Sequence, residues 1–205
     1  LTSIEIPNSV TSIGFTAFFI CSGLTSIEIP NSVTSIRSEA FAFCSGLTSI
    51  EIPNSVTEIW SRCFRHCSSL TSVTLSENLE SISSNAFEGC DAIETIIYPA
   101  IKPCKADKSM FTSNVYDNAI LYVPDEAVNT FKSTAPWSSF YDIRGLESSG
   151  IEDVMDNSGS GEIDYTAPYD VYNLNGAKVG NAIDILAPGL YIIRQGSVAK
   201  KIALN

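Results

Sequence analysis

The most reactive side chains gather in one pentapeptide, C-F-R-H-C at 63–67, where Cys63, Cys67 and His66, the one histidine of the chain, are types that bind zinc. Tetrahedral zinc needs a fourth ligand, and none stands nearby, so the spacing does not complete a metal site. The scarcity of histidine also removes the usual base that activates a serine or cysteine nucleophile. No G-x-S-x-G, P-loop or G-x-G-x-x-G pattern occurs. The stretch D-N-S-G-S-G-E-I-D at 156–164 puts Asp156, Ser158, Ser160 and Gly161 at the first, third, fifth and sixth places of a calcium loop. Ala167 stands at the twelfth place, where a bidentate carboxylate is required, so the stretch reads as a linker. No cofactor and no enzymatic activity are expected.

Charge and hydropathy narrow the partners. Asp and Glu number 23 against 12 Lys and Arg, a net charge of −11 that repels a phosphate backbone and excludes nucleic acid as a partner. No apolar run is long enough to cross a bilayer. The sequence opens at Leu1 with neither an initiator Met nor a leader, and is expected to be a fragment of a longer chain.

The element that positions these residues is a repeat. The decapeptide L-T-S-I-E-I-P-N-S-V occupies 1–10, 24–33 and 47–56, and a gapless alignment of 1–23, 24–46, 47–69 and 70–92 gives a period of 23 residues. A period of this size predicts a solenoid. The columns beginning Leu1, Ile4, Ile6, Val10, Ile13, Phe18 and Cys21 are expected to face inward, and stacking at about 4.8 Å joins them into one core. Alternation of Ile4 and Ile6 about Glu5 predicts a short strand ended by Pro7-Asn8 at the start of each coil.

The block L-T-S-I-E-I-P-N-S-V-T-S-I-G followed by A-F-x-x-C resembles the BspA-type leucine-rich repeats of bacterial surface proteins over residues 1–92. The fold expected is a mostly β repeat protein: a right-handed leucine-rich-repeat solenoid with 23-residue coils, followed by a small antiparallel β-domain. The pattern degenerates over 93–104, where Ile97 takes the Glu column. Residues 118–133 predict a last strand ending at Pro124 and a helix with Val128 and Phe131 on one face, and Trp137, Phe140 and Ile143 are expected to close the core. The solenoid with its cap is assigned to 1–146, a linker to 147–162 and the β-domain to 163–205. Asn-Gly and Gln-Gly turn signals in the last of these predict hairpins. This tail resembles the small C-terminal β-domains of secreted and surface proteins of Bacteroidetes, some of which are sorting signals. The resemblance implies an exported or surface-attached adhesion module for host or neighbouring-cell macromolecules, extracellular matrix proteins among them, and hence an extracellular or outer-surface location.

Register also bears on the cysteines. Cys21, Cys44, Cys67 and Cys90 fall in one column, where parallel side-chain vectors suit a disulfide poorly, so they read as buried free thiols. Cys63 and Cys104 lie outside that column and are the better disulfide candidates.

Two surfaces are candidates for binding a protein or glycan macromolecule. Ser3, Ser26 and Ser49 form one outward row and Glu5, Glu28 and Glu51 another; they make either a solvated face that keeps the solenoid soluble or an acidic, hydroxyl-rich strip for a basic or polyhydroxylated partner. Differences between coils cluster after the second Ile, and there Phe19, Ile20, Phe43 and Trp60, with Phe15, are larger and more apolar than a solvated edge requires. They either form a contact patch or pack against upstream coils. The first coil, with no cap before it, is expected to fray or self-associate. The competing reading of the whole is a structural spacer that projects a missing N-terminal domain.

Overall fold

The structure, a computed structural model, describes residues 2–146, 168–173, 178–180, 189–195 and 198–204. It divides into two compact units, Leu1–Arg144 and Gly145–Asn205. The first is mostly strand, built from coils that stack in parallel. One ladder joins Ser12–Ile13, Ser35–Ile36, Glu58–Ile59, Ser81–Ile82 and Lys105–Ala106, with Ile13, Ile36, Ile59 and Ile82 in register. A second joins Ser49–Glu51, Ser72–Thr74, Thr95–Ile97 and Ile120–Val123, with Asp142–Gly145 at its end.

Two differences from the sequence reading appear here. Each of the first four coils carries a strand, at Ser12–Ile13 and its equivalents, that was not expected, and the expected strand at the start of the coil is absent from the first two. Neighbouring coils there are joined through Thr25 N–H to the Thr2 carbonyl (3.3 Å) and Thr48 N–H to the Thr25 carbonyl (3.2 Å), with the Thr25 and Thr48 hydroxyls donating to the same two carbonyls. Like charges directly opposite each other oppose a tight ladder, and Glu5, Glu28 and Glu51 lie in one row; where Thr74 takes that place, opposite Glu51, the ladder forms.

The turn segment of each coil makes a third set of rungs. Thr16, Phe18 and Ile20 donate their N–H groups to the carbonyls of Ser38, Ala40 and Ala42 in the next coil, while Ala17, Phe19 and Cys21 donate back to Gly14, Thr16 and Phe18 within their own. The pattern recurs from Glu39 and from Arg62. It leaves the segment's backbone donors satisfied although it is neither helix nor strand. The conformation that permits it has positive φ twice per coil: Thr16, Glu39, Arg62 and Asn85 in one column, Ile20, Phe43, His66 and Gly89 in the other.

Inside, Phe18, Phe41, Phe64, Phe87 and Phe111 stack with ring centroids 4.9–5.3 Å apart, each plane within 20° of the next. Phe41, Phe64 and Phe87 are fully buried. In the first coil Ile4 is 38% and Phe15 65% exposed.

The core closes through aromatic groups. A helix over Ser113–Asn118, which the sequence reading did not anticipate, is capped by Thr112, whose hydroxyl accepts from Val115 N–H. A second helix over Val128–Ser133 follows a 3₁₀ turn at Asp125–Ala127 and buries Phe131, with Val128 partly buried beside it. Trp137, fully buried, donates its indole N–H to the Cys104 carbonyl at 3.1 Å, and Phe140 and Ile143 join the same core.

In the second unit, Asp170–Asn173, Lys178–Gly180, Gly189–Gln195 and Val198–Leu204 form an antiparallel sheet in which Gly189–Gln195 lies between Asp170–Asn173 and Val198–Leu204. Val171 and Ile193 face each other in register and are fully buried. The calcium-like stretch at 156–164 and the linker at 147–162 lie outside the described residues.

Candidate functional site

The C-F-R-H-C residues do not converge. Cys63 and Cys67 are fully buried, whereas His66 turns outward, its imidazole 4.9 Å from the Phe43 ring. Gly89 in the next coil makes room for it: a Cβ there would meet His66 Nδ1 at 2.2 Å.

All six cysteines are free thiols, Cys63 and Cys104 included. Three of the column thiols donate to Phe carbonyls of the preceding coil: Cys44 to Phe18 (3.1 Å), Cys67 to Phe41 (3.2 Å) and Cys90 to Phe64 (2.9 Å). Burial raises Cys44 to about 11 and pushes Cys63 and Cys104 up as well. Cys67 is raised by its hydrogen bond with the Cys90 thiol and then by burial. Thiolate is the reactive form, so these groups are inert core residues while the coils are stacked. Brief iodoacetamide treatment of the native chain is expected to leave Cys44, Cys63, Cys67, Cys90 and Cys104 unmodified, and all six cysteines are expected to alkylate in denaturant. Mass spectrometry checks this; native labelling at the denatured rate, or a disulfide-bonded pair in denaturant, would contradict it.

The polar row is where the sequence places it. Ser3, Glu5, Ser26, Glu28 and Glu51 are exposed and Ser49 is half-buried. The next residues in register, Thr74 and Ile97, are buried, so the carboxylate row stops at Glu51.

The second candidate surface lies on the turn segments. Phe19 is 39% and Ile20 59% exposed, while Phe43 and Trp60 are half-buried. Phe19 meets the Phe43 ring edge-on at 5.6 Å. Arg65 places its guanidinium 5.8 Å from the Phe43 centroid, and its Nε lies 2.9 Å from Glu88 Oε2 without completing a hydrogen bond, a charge contact alone. Arg37 lies 4.8 Å over the Trp60 ring, a cation–π contact worth about 0.5–1 kcal/mol at an exposed site. Arg62 and Glu39 approach to 3.8 Å. The arginines were missed as site residues by sequence reasoning, although their confinement to the variable positions was a readable signal. Among the described residues no group of His, Cys, Asp and Glu is arranged to hold a metal, and no helix is long and apolar enough to cross a membrane.

Comparison with known proteins bears on these surfaces. A family model described as BspA type leucine rich repeat region matches residues 1–116 in 6 copies. The chain is similar to a leucine-rich cell surface protein from Faecalibacterium prausnitzii, with 29% identity and a TM-score of 0.48 over 70% of this chain and 32% of that one. It is similar to the leucine-rich repeat protein TpLRR of T. pallidum at 23% identity and a TM-score of 0.47, covering 70% of this chain and 72% of that one. The pneumococcal vaccine antigen PcpA shares the fold at 19% identity and a TM-score of 0.54, over 69% of this chain and 40% of PcpA. The chain thus spans about a third of the F. prausnitzii protein it matches. No curated protein matches it.

Proposed function

The chain belongs to the BspA-type leucine-rich-repeat family, and on that premise we propose that it is a non-catalytic binding module, secreted or held at the outer cell surface, that recognises a protein or glycan of a host or neighbouring cell. Its coils wind as a right-handed solenoid from 1 to 146. We assign 147–162 to a linker and 163–205 to a β-domain of the kind exported Bacteroidetes proteins carry, some of which are sorting signals. Extracellular matrix proteins are the leading partner class.

One observation carries this reading: stacking consumes the apolar columns, and the outward residues Ser3, Glu5, Ser26, Glu28, Ser49 and Glu51 remain as a regular row available to a macromolecule. A repeated row of this kind gives register and selectivity more than raw affinity.

Changing Glu5, Glu28 and Glu51 together to Lys is expected to weaken adhesion to immobilised matrix by about tenfold, with circular dichroism and the thermal midpoint unchanged because all three are exposed. Undiminished adhesion by the folded variant would remove the acidic row from the site. The end of the row at Glu51 favours a second reading, a spacer that projects another domain, and the same variant would then behave as wild type in every adhesion assay.

A further inference from the structure

Cys44, Cys67 and Cys90 form a line of buried nucleophiles, 23 residues apart and one to a coil, with no exposed surface. Each sulfur is tied to a carbonyl of the coil before it, Cys67 Sγ to Phe41 at 3.2 Å and Cys90 Sγ to Phe64 at 2.9 Å, and the rings of those two phenylalanines stack 5.3 Å apart. The Cys67 thiol also meets that of Cys90 across the boundary between their coils. The other two buried thiols are placed differently. Cys63 has Ala40 and Ala86 as its equivalents in the flanking coils. Cys104 lies in the degenerate coil, its N–H donating to the Tyr98 hydroxyl at 3.2 Å and its carbonyl accepting from Trp137.

Thiols that meet across a coil boundary are poised to join, yet the stack does not accommodate the product. A disulfide needs its sulfurs about 2.05 Å apart, with a torsion of about 90° between the two Cβ atoms. Side chains that leave consecutive coils in one register run parallel, and drawing the sulfurs together pulls both off their Phe carbonyls in a core with no room to turn. While the coils are stacked, the sulfurs are closed to any oxidant. Repeat units contact only their neighbours, so a stack opens interface by interface. Parting of the third and fourth coils therefore releases Cys67 and Cys90 together, joined by a short loop that brings them back into contact readily.

We propose that the cysteine column is a redox-sensitive switch built into the stack: in the presence of a small disulfide oxidant, coils that part are held apart by a bond between column neighbours, Cys67–Cys90 or Cys44–Cys67. The exchange has two steps. A column thiol, deprotonated on exposure, attacks one sulfur of the oxidant, forming a mixed disulfide and expelling one half of the oxidant as thiolate. The neighbouring column thiolate then attacks the protein-side sulfur and expels the other half. Two cysteines lose two electrons, the oxidant's disulfide gains them, and the two protons pass to the thiols it becomes. A reducing medium reverses both steps and lets the coils close. The stack thus survives opening in thiol-rich surroundings and does not survive it in oxidising ones.

The test holds the full chain with oxidised glutathione in urea at the foot of its unfolding transition, then removes the urea. Disulfides are mapped by alkylation, digestion and mass spectrometry, and restacking is read by far-ultraviolet circular dichroism. Cys67–Cys90 and Cys44–Cys67 bonds are expected while Cys104 remains a free thiol. The oxidised chains are expected not to regain the native signal until dithiothreitol is added, whereas chains carried through without oxidant regain it. Cys21→Ala combined with Cys67→Ala leaves no two column thiols on adjacent coils. That variant, held where the same fraction is unfolded, is expected to restack in the oxidant. The proposal is overturned if the bonded chains keep the native signal and thermal midpoint, since the bond then fits the stack, or if Cys63 or Cys104 is bonded as often as the column, since the opening is then global. Glutathione adducts alone, or a double variant that stays trapped, equally overturn it. If the double variant does not fold, the disulfide map and the reversal by dithiothreitol in the unsubstituted chain decide the matter.

Discussion

Phe64→Ala is expected to lower the free energy of unfolding by about 3–5 kcal/mol, the range for truncating a fully buried aromatic side chain. Phe64 has no exposed surface and lies between Phe41 at 5.3 Å and Phe87 at 5.1 Å, nearly parallel to both. The cavity would have little means of collapsing. Phe64 N–H is tied to the Ala86 carbonyl at 2.8 Å, and its own carbonyl receives the Cys90 thiol at 2.9 Å, so the backbone is held while the ring is lost. Stacked coils depend on their neighbours, so the loss spreads along the stack as a missing interface. Urea denaturation followed by far-ultraviolet circular dichroism measures it, and a loss below about 1 kcal/mol would mean that the Phe stack is not what joins the coils.

Trp137→Ala is the second large effect, again about 3–5 kcal/mol. The indole packs 5.0 Å from Tyr98 and 5.6 Å from Phe131, and its N–H satisfies the Cys104 carbonyl. Trp137→Phe separates the contributions: it keeps most of the apolar volume but leaves a buried carbonyl without that donor, an omission that costs about 1–3 kcal/mol. Alanine should therefore destabilise more than phenylalanine in the same denaturation experiment. Equal losses would mean that the hydrogen bond, and not the packing of the ring, dominates closure of the core.

How much of this was readable depends on the length of each signal. The 23-residue period and the Phe column were legible because every coil repeats them, and Val128, Phe131, Trp137, Phe140 and Ile143 because apolar spacing marks a buried face. The Ser12–Ile13 ladder escaped because a strand of two residues contains no alternation to detect. The helix at Ser113–Asn118 is six residues long, too short for a helical period to emerge.

The candidate site was only partly legible, for a different reason. Residues 14–16 and 19–20 and their equivalents vary between coils, which invites the view that the scaffold leaves them free; in fact it fixes their backbone through cross-coil hydrogen bonds and leaves only the side chains open. Thr16, Glu39, Ile20 and Phe43 give no hint of left-handed backbone, and Asn85 with Gly89 in one coil was the sole clue. The end of the acidic row at Glu51 was legible, since Thr74 and Ile97 stand in the Glu column of the following coils; their burial is the tertiary part that no periodicity encodes.

The rungs at 12–13, at 49–51 and along the turns advance by a constant increment through the early part of the chain, and the increment changes where Ile82 meets Ala106, Ile97 meets Tyr122 and Asn85 meets Ser109. Excision of 24–46, or duplication of it, would join ends that already mesh, since the flanking decapeptides are identical. Reach thus becomes a heritable dimension that recombination within the reading frame can lengthen or shorten, without redesign of anything on either side of the junction.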